Sequence, residues 1–402
     1  MENSIDTFRD SPVTRLFTVL ALLGFGYFAY LIADDHPQIA WPAYLINLLL
    51  WSAIAQGGLL FSMVMHVTKA RWSDNLSGLS HAFAAFFPVS FGLFLLLFLG
   101  QESIFPWIGV DLHGKEIWLN VPFLFSRDLI GLFVLYGLGG VYLYYALGLK
   151  LGKHPPRGKI RGYLHRQWAR SLADVDRCRA RMSVFGVLYM IAYAFVLSLI
   201  AFDLIMSADP HWISTLFGAY AFVKAFYVGL GALIILAAVV SLRHGDRSGL
   251  TASHFHDLGK LFFGFCLIWG DFFYAQFVVI WYGNLPEEAS YVIQRTMLSP
   301  WKSLAWVVLG TCFIIPFLIL LNRKVKTKPV FMAVLCSVVI IGIGLEHLLL
   351  LGPALSPDIS GLSQGVATGV IFVGFFGLMG IALRFFLNLF PELVLAREQE
   401  IA

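Results

Sequence analysis

The chain has 402 residues, of which 59% are hydrophobic and 13% charged, and its formal net charge is +4. Soluble domains average about 45–50% apolar and about 25% charged residues. The composition therefore excludes a soluble globular protein and indicates one that crosses a membrane repeatedly. Barrel strands would alternate in polarity over roughly ten residues, whereas the apolar runs here continue for roughly twenty or more, as helices require. The sequence predicts an all-α polytopic membrane protein.

Ten apolar runs are long enough to cross a bilayer as helices. The first follows a polar segment without the features of a cleavable signal peptide, so we expect it to be retained as a span. An even number of spans places both termini on one side of the membrane. The predicted spans are residues 14–34, 42–66, 81–100, 126–149, 183–206, 212–241, 259–283, 301–321, 329–352 and 364–390.

Basic residues are concentrated in the even-numbered loops between these spans. The positive-inside rule therefore places those loops and both termini in the cytoplasm. An aromatic belt is expected at the outer ends of the spans, and six tryptophans fall there: Trp41, Trp107, Trp118, Trp212, Trp281 and Trp301. The fourth loop, residues 150–182, is long and strongly basic. Two interpretations stay open for it: contact with anionic lipid or a cytoplasmic partner, and ordinary positive-inside charge.

A short similarity indicates an internal repeat. SGLSHAF, at Ser77–Phe83, leads into the third span, and SGLTASHFHDLGK, at Ser248–Lys260, leads into the seventh. A parallel repeat of residues 42–206 and 212–352 would give two four-helix bundles, made of spans two to five and six to nine. Spans one and ten would then be peripheral helices, within a single integral membrane domain over residues 1–402.

Two charges are predicted near the middle of consecutive, antiparallel spans. Lys224 lies about twelve residues into the sixth span and Asp271 about twelve residues into the seventh, so at about 1.5 Å per residue the side chains could meet. Intramembrane charge costs roughly 2.5–3.5 kcal/mol per group on insertion scales. Two interpretations stay open: a pair that only neutralises itself, and a step in a proton relay.

Further polar residues fall into an outer and an inner group, which together with the middle pair would form a relay across the membrane. The outer candidates are Glu102, Asp128, Asp203, Glu346 and His347. The inner candidates are His66, His81, His256, Asp257, Lys260 and Arg384. For Glu102 and Asp128 the alternative is a span end reached by water. For most of the inner group it is an ordinary interfacial position, with Arg384 snorkelling.

No motif for a bound redox cofactor or metal is present in the sequence. Its four cysteines stand far apart, without CxxC, CxxCH or an iron–sulfur ligand run. A b-type haem needs paired histidines on facing helices, whereas only His347 lies clearly within a span and His66 lies at an edge. A quinone nearby stays open, because its pocket needs only apolar walls and a few polar groups.

Two outer segments carry a family resemblance. MSADPHWISTLFGAY, at Met206–Tyr220, and IWYGNLPEE, at Ile280–Glu288, resemble the outer ends of spans in the NrfD-like (polysulfide reductase membrane subunit) family. Within it, the chain is most similar to the ActF-type subunit of alternative complex III, a quinol:cytochrome c oxidoreductase. Ten spans, cytoplasmic termini and two four-helix bundles agree with that family.

The resemblance implies a multi-pass subunit, without a redox cofactor of its own, of an electron-transport complex in the bacterial inner (plasma) membrane. In such a complex menaquinol or ubiquinol is oxidised, and this type of subunit is thought to help move protons. The implied partners are a second NrfD-like subunit, an iron–sulfur subunit and c-type cytochrome subunits. Residues matching the outer motifs would shape the outer loop or dock a periplasmic partner: Trp212, Trp281, Tyr282, Pro286, Glu287 and Glu288.

Two other functions stay open at this point. A free-standing proton-coupled secondary transporter usually has broken helices at matching places in its two halves. Pro88 and Pro316 interrupt the third and eighth spans, which are not matching positions, and this favours the subunit of a redox complex. The third interpretation is a purely structural anchor, whose charges only fix helix packing.

Overall fold

The structure, a computed structural model, describes residues 11–112, 114–152, 158–171, 174–210, 212–355 and 361–394, without the side chains of Arg71, Arg170, Ser171 and Glu287. Within these ranges the chain is helical and contains no β-strand. Ten helices in the described ranges are long and apolar enough to cross a membrane, which confirms the predicted all-α polytopic class.

The membrane-spanning helices are numbered spans 1 to 10 in chain order. Their bounds are Pro12–Ala33, Pro37–Val67, Asp74–Ile104, Val121–Leu151, Val175–Ala208, Phe217–Ser248, Ala252–Gly283, Trp301–Leu320, Pro329–Leu355 and Gly361–Leu389. The two longest helices outside the spans are Gly158–Ser171 in the basic fourth loop and Pro286–Thr296 in the seventh loop.

The helix ends differ from the predicted ones because polar residues also form helix. Span 5 starts at Val175 rather than at 183, and the Asp174 carboxylate accepts a hydrogen bond from the backbone N–H of Arg177, which caps its first turn. Span 6, in contrast, starts later than predicted. It was predicted from residue 212, but the helix begins at Phe217.

Two four-helix groups are present, as predicted. Span 2 packs against spans 3 and 5, and span 4 joins spans 3 and 5 on the far side. Span 6 packs in the same way against spans 7 and 9, with span 8 between those two. Spans 1 and 10 pack against each other, and span 10 lies on spans 2 and 3. We call spans 2–5 the first bundle and spans 6–9 the second bundle.

The two bundles meet where span 2 crosses span 6. A Cβ atom added to Gly229 would lie 2.4 Å from the backbone carbonyl carbon of Gly57, and one added to Gly57 would lie 2.2 Å from the carbonyl oxygen of Ala225. Small residues permit such close helix approach in membranes, where packing and not the hydrophobic effect drives association. Glycine is therefore required on both sides of the crossing that joins the bundles.

The two prolines singled out in the sequence coincide with irregular helix. Pro88 follows a 3₁₀ segment at His81–Phe86 in span 3, and Pro316 follows a π-helical segment at Gly310–Ile314 in span 8. Proline has no N–H to donate to the carbonyl four residues earlier, which for Pro316 is Cys312. That carbonyl instead accepts a hydrogen bond from the Tyr227 hydroxyl at 3.2 Å. The interruption thus links spans 6 and 8.

The helix of the basic loop lies against the inner ends of spans 3, 4 and 10. Trp168 is buried among Phe386 and Phe390, and the Arg161 guanidinium donates a hydrogen bond to the Glu392 carboxylate at 2.9 Å. Part of the predicted basic surface is therefore used within the chain. Lys153 and Arg157 of the same loop lie outside the described residues.

Candidate functional site

The centre of the second bundle holds an ion pair between Lys224 of span 6 and Glu346 of span 9. The Lys224 ammonium donates to the Glu346 carboxylate at 2.9 Å, and both side chains are almost completely buried. The Tyr220 hydroxyl donates to the same carboxylate oxygen at 2.5 Å, and the Trp269 indole N–H donates to the other oxygen at 3.3 Å. Three donors on two oxygens stabilise an ionised carboxylate in an apolar surrounding.

The predicted partner of Lys224 was wrong. Asp271 is exposed, whereas Trp269, two residues earlier on span 7, faces Glu346. Two residues are about 200° apart around a helix, so Asp271 points away from the bundle interior. Span 7 does supply a group to this site, but the group is the indole of Trp269.

The depth of Lys224 also differs from the prediction. Because span 6 begins at Phe217, Lys224 is only about 10 Å from the outer end of its helix, and about 30 Å of helix separates it from His244. Glu346 lies about 14 Å from the outer end of span 9 at Leu355. The ion pair is therefore in the outer half of the membrane, where Glu346 was predicted.

A cavity with a volume of about 60 Å³ lies between the two bundles, next to this ion pair. Lys224 and His347 line it from the second bundle, and Ser52, Gln56 and Ser90 line it from the first. The remaining walls are apolar. One water occupies about 30 Å³ in the liquid, and an engineered cavity of about 150 Å³ binds benzene. The cavity is therefore suited to a few water molecules and is too small for a quinone ring.

His347 is oriented by the backbone of its own helix. Its Nδ1 lies 2.9 Å from the carbonyl oxygen of Ile343, which can only accept, so Nδ1 carries a proton. In the neutral imidazole Nε2 is then the acceptor. Because the side chain is buried and also lines the cavity, Nε2 is the ring atom that can exchange a proton with water there.

On the opposite wall, a hydroxyl cluster in the first bundle continues the polar lining. The Gln56 amide donates to the Tyr136 hydroxyl at 3.0 Å, and the Tyr136 and Ser90 hydroxyl oxygens are 2.5 Å apart. The backbone carbonyl oxygen of Gln56 accepts a hydrogen bond from the Tyr189 hydroxyl at 3.1 Å. Polar groups of spans 2, 3, 4 and 5 are thereby connected beside the cavity.

A second group of polar contacts lies nearer the inner face. The Ser62 hydroxyl donates to Tyr142 at 3.2 Å, and His66 Nε2 lies 2.9 Å from the Ser183 hydroxyl. His81 is buried, with its ring centroid 6.1 Å from that of Tyr142. The structure thus brings the inner candidates His66 and His81 together around Tyr142. About 9 Å of span 2 separates Gln56 from Ser62, so the inner and outer groups are distinct.

Asp203 and Asp128 form a third site, at the outer end of the first bundle. Asp203 accepts two hydrogen bonds from Arg127, both at 2.6 Å, and a third from the Trp118 indole at 3.1 Å. Arg127 also stacks on Trp118, 3.9 Å from the ring centroid. The interpretation that placed Asp128 at a span end reached by water is wrong. It is 0% exposed, no N–H or hydroxyl donor of the described residues reaches its carboxylate oxygens, and its polar neighbour is the Asp203 carboxyl group.

The other candidates stay apart from these sites. Glu102 is exposed near the outer end of span 3, as the alternative interpretation expected. Lys260 and Asp257 pair with each other at 3.0 Å near the start of span 7, close to His256. Arg384 is half-buried near the inner end of span 10.

The expected outer docking residues divide into buried and exposed ones. Trp212 is 3% exposed and stacks on Tyr291, with ring centroids 3.9 Å apart, so it belongs to the interior of the outer cap. Trp281 and Tyr282 are 68% and 85% exposed, whereas Pro286 starts the Pro286–Thr296 helix and Glu288 is half-buried. The side chain of Glu287 and the whole of His211 lie outside the described residues.

Arg295 closes the outer cap above the second bundle. Its guanidinium donates to the Leu350 carbonyl at 2.8 Å and stacks on Tyr291 at 3.4 Å. Asp209 is 3.9 Å away. Burial lowers the pKa of Arg295, and the neighbouring Tyr291 and Asp209 oppose that shift. The cap thus separates the Lys224–Glu346 pair from the outer surface.

Sequence reasoning missed the residues that connect these sites. Tyr220 and Trp269 bond the Glu346 carboxylate, and Gln56 and Tyr136 bond each other beside the cavity. A tyrosine one helical turn before an intramembrane lysine, and a glutamine within an apolar span, were the available signals.

Comparison of the sequence with protein-family models gave no match, and comparison with curated proteins gave none either. In the part of the chain that the structure describes, no group of three or more His, Cys, Asp or Glu residues could hold a metal ion.

Proposed function

We propose that this chain is an integral membrane subunit that transfers protons, and that it does so at the cavity between its bundles. The observation that carries the proposal is the position of His347 and of Lys224, which pairs with Glu346, on the wall of a water-sized cavity. Buried ionisable groups are costly in a membrane and mark ion and proton pathways when they line an internal cavity.

The roles of these residues follow from their contacts. The ion pair of Lys224 and Glu346 supplies a fixed dipole, and the Lys224 ammonium disfavours a second positive charge nearby. His347 accepts a proton at Nε2 from cavity water, and because Lys224 opposes the resulting charge it returns the proton rather than holding it, while its Nδ1–H stays bonded to Ile343. Gln56, Tyr136 and Ser90 provide hydroxyl and amide groups on the other wall, along which a proton can pass by exchange of hydrogen bonds.

The two other polar sites fit the same role. Asp128 lies beside an Arg127–Asp203 pair that is already neutral overall, so an ionised Asp128 would be an uncompensated buried charge. Asp128 is therefore a group that can carry a proton at the outer end. His66 and His81 supply titratable groups at the inner end. We propose these as the exit and entry sites.

We further propose that the subunit belongs to a quinol:cytochrome c (or similar carrier) oxidoreductase of the alternative complex III type in a bacterial inner membrane. The outer motifs around Trp212 and Trp281 and the two-bundle arrangement support this proposal. Its partners would be a second NrfD-like subunit, an iron–sulfur subunit and c-type cytochromes. Since the cavity is too small for a quinone ring, quinol oxidation would take place outside it.

Purification from the native membrane in mild detergent tests the complex. Co-purification in fixed ratio with iron–sulfur and multihaem cytochrome subunits is the expected result. Recovery of the chain without any redox-active subunit, under conditions that preserve other respiratory complexes, would refute it.

A proton-coupled transporter is the second candidate, and one observation favours it. The cavity lies between two four-helix bundles, which is where transporters place their substrate sites. Proteoliposomes separate the two functions. Proton movement driven by quinol oxidation in the intact complex supports the redox subunit, whereas solute uptake by the isolated chain, driven by a pH gradient, supports the transporter.

A further inference from the structure

Asp271 occupies an unusual position on the second bundle. It is exposed on span 7, and among the described residues no polar contact accounts for it. Lys260 and Trp281 of the same helix mark the inner and outer interfaces expected for a basic residue and an aromatic belt. Trp281 follows Lys260 by 21 positions, which is about 31 Å of helix and matches the thickness of the hydrocarbon core. Asp271 is about 16 Å from Lys260, at the middle of the membrane.

Other ionisable groups deep in the spans are arranged differently. Lys224, Glu346, His347, Asp128 and Asp203 are all buried within the bundles. In the described ranges, Asp271 is the one carboxyl exposed at mid-span. Facing lipid it would have neither water nor a hydrogen-bond donor, which is why intramembrane carboxyls almost always face protein or a water-filled cavity. The exposed face around Asp271 is therefore expected to be covered.

The residues around Asp271 have the spacing of a helix-packing seam. Lys260, Gly264, Leu267, Asp271 and Tyr274 follow one another at intervals of four, three, four and three residues. That is the heptad spacing by which membrane helices pack at small crossing angles. A Cβ atom at Gly264 would have no neighbour within 4 Å, and Leu267 and Tyr274 are 40% and 65% exposed. The seam is free on the outside of the second bundle.

We propose that this face of span 7 binds a transmembrane helix of a different membrane protein, which presents a lysine or arginine to Asp271 at the middle of the bilayer. A basic side chain is the complement of a carboxylate, and desolvation by two packed helices strengthens the pair. A second copy of the chain does not fit. In a dimer packed through this seam about a two-fold axis along the membrane normal, each Asp271 would face the other Asp271.

The docking surface is independent of the proton-transfer proposal. Asp271 belongs to none of the three buried polar sites, and its side chain lies on the opposite side of span 7 from Trp269. Substitution of Asp271 is therefore expected to change assembly and leave the fold of the chain intact. Asp271→Glu, which keeps the charge, and Asp271→Asn, which removes it, form a matched pair.

Site-specific photo-crosslinking in native membranes tests the surface. A photo-reactive amino acid replaces Leu267, one turn from Asp271, and a control replaces Phe195, which is 73% exposed on the first bundle. We expect the Leu267 probe to label one peptide of another integral membrane chain, within an apolar segment that contains a lysine or arginine. Asp271→Asn should lower the yield about 3- to 20-fold, the range that interhelical polar contacts give, and Asp271→Glu should retain it.

Charge exchange completes the test. Asp271→Lys should abolish the crosslink, and replacing the partner's basic residue with aspartate should restore it. Adducts to lipid alone, adducts to a second copy of the chain, a labelled segment without a basic residue, or a yield unchanged by Asp271→Asn would each overturn the proposal.

Discussion

Lys224 and Glu346 lie 122 positions apart in the chain, yet their side chains form a 2.9 Å ion pair inside the second bundle. The pair joins span 6 to span 9, and Trp269 adds span 7 to the same carboxylate. Its neighbour His347 turns to the cavity that separates this bundle from the first. One buried contact therefore fixes helix packing and places charge beside a water-sized space.

The contributions of Lys224 and Glu346 to stability are predicted to depend strongly on each other. Removing one partner of a buried pair leaves an uncompensated charge and costs about 3–5 kcal/mol. Lys224→Met and Glu346→Gln should each lower the melting temperature of the purified protein markedly. The double variant should melt above the Lys224→Met variant, because no unpaired ammonium or carboxylate remains. Additive losses in the double variant, measured in the same detergent, would contradict the interaction.

The hydroxyl of Tyr136 is predicted to matter for proton transfer more than for folding. Tyr136→Phe keeps the ring, which stacks on Phe87 with centroids 4.3 Å apart, and removes the link between Gln56 and Ser90. The loss of these hydrogen bonds should cost about 1–3 kcal/mol. We expect a folded, assembled protein whose proton release per electron is reduced. Normal proton release with Tyr136→Phe would place the pathway elsewhere.

Filling the cavity offers a test that changes no polar group. Ala53 lines the cavity, and Ala53→Leu adds three carbon atoms where a few water molecules would fit. Proton transfer should fall while the Lys224–Glu346 pair is kept. Gly92→Leu serves as the control, because Gly92 is exposed on span 3 with no atom within 4 Å of its added Cβ. Equal effects of both variants on proton transfer would argue against water in the cavity.

The crossing of spans 2 and 6 is predicted to be intolerant of side chains. Gly229→Ala would place a Cβ 2.4 Å from the Gly57 backbone, and overpacking of this kind typically costs about 1–3 kcal/mol. Gly140→Ala is the matched control, since its added Cβ meets nothing within 4 Å. Thermal unfolding monitored by size-exclusion chromatography should separate the two. A Gly229→Ala protein as stable as the control would mean that spans 2 and 6 can move apart to admit the methyl group without loss of stability.

The sequence predicts the helices well and the contacts between them poorly. Apolar runs of bilayer length fix the ten spans because the backbone has no other way to satisfy its hydrogen bonds in lipid. Lys224, Asp203 and Glu346 were identifiable as candidates because charge is rare in such runs. The pairing failed, because the choice between Asp271 and Glu346 depends on which face of span 7 turns inward. Span 7 is apolar on every side, so the periodicity of its sequence does not indicate which face turns inward.

Quinol-driven proton release by the proposed complex, reconstituted intact in membranes, shows whether protons pass through the cavity. His347→Gln removes the titratable ring from the cavity wall, and His256→Gln, near the inner end of span 7, is the control. Protons released per electron are measured for both variants alongside electron transfer and assembly. We expect His347→Gln to lower the ratio while assembly is kept, and His256→Gln to leave it unchanged. An unaltered ratio in fully assembled His347→Gln complex would contradict proton transfer at this cavity.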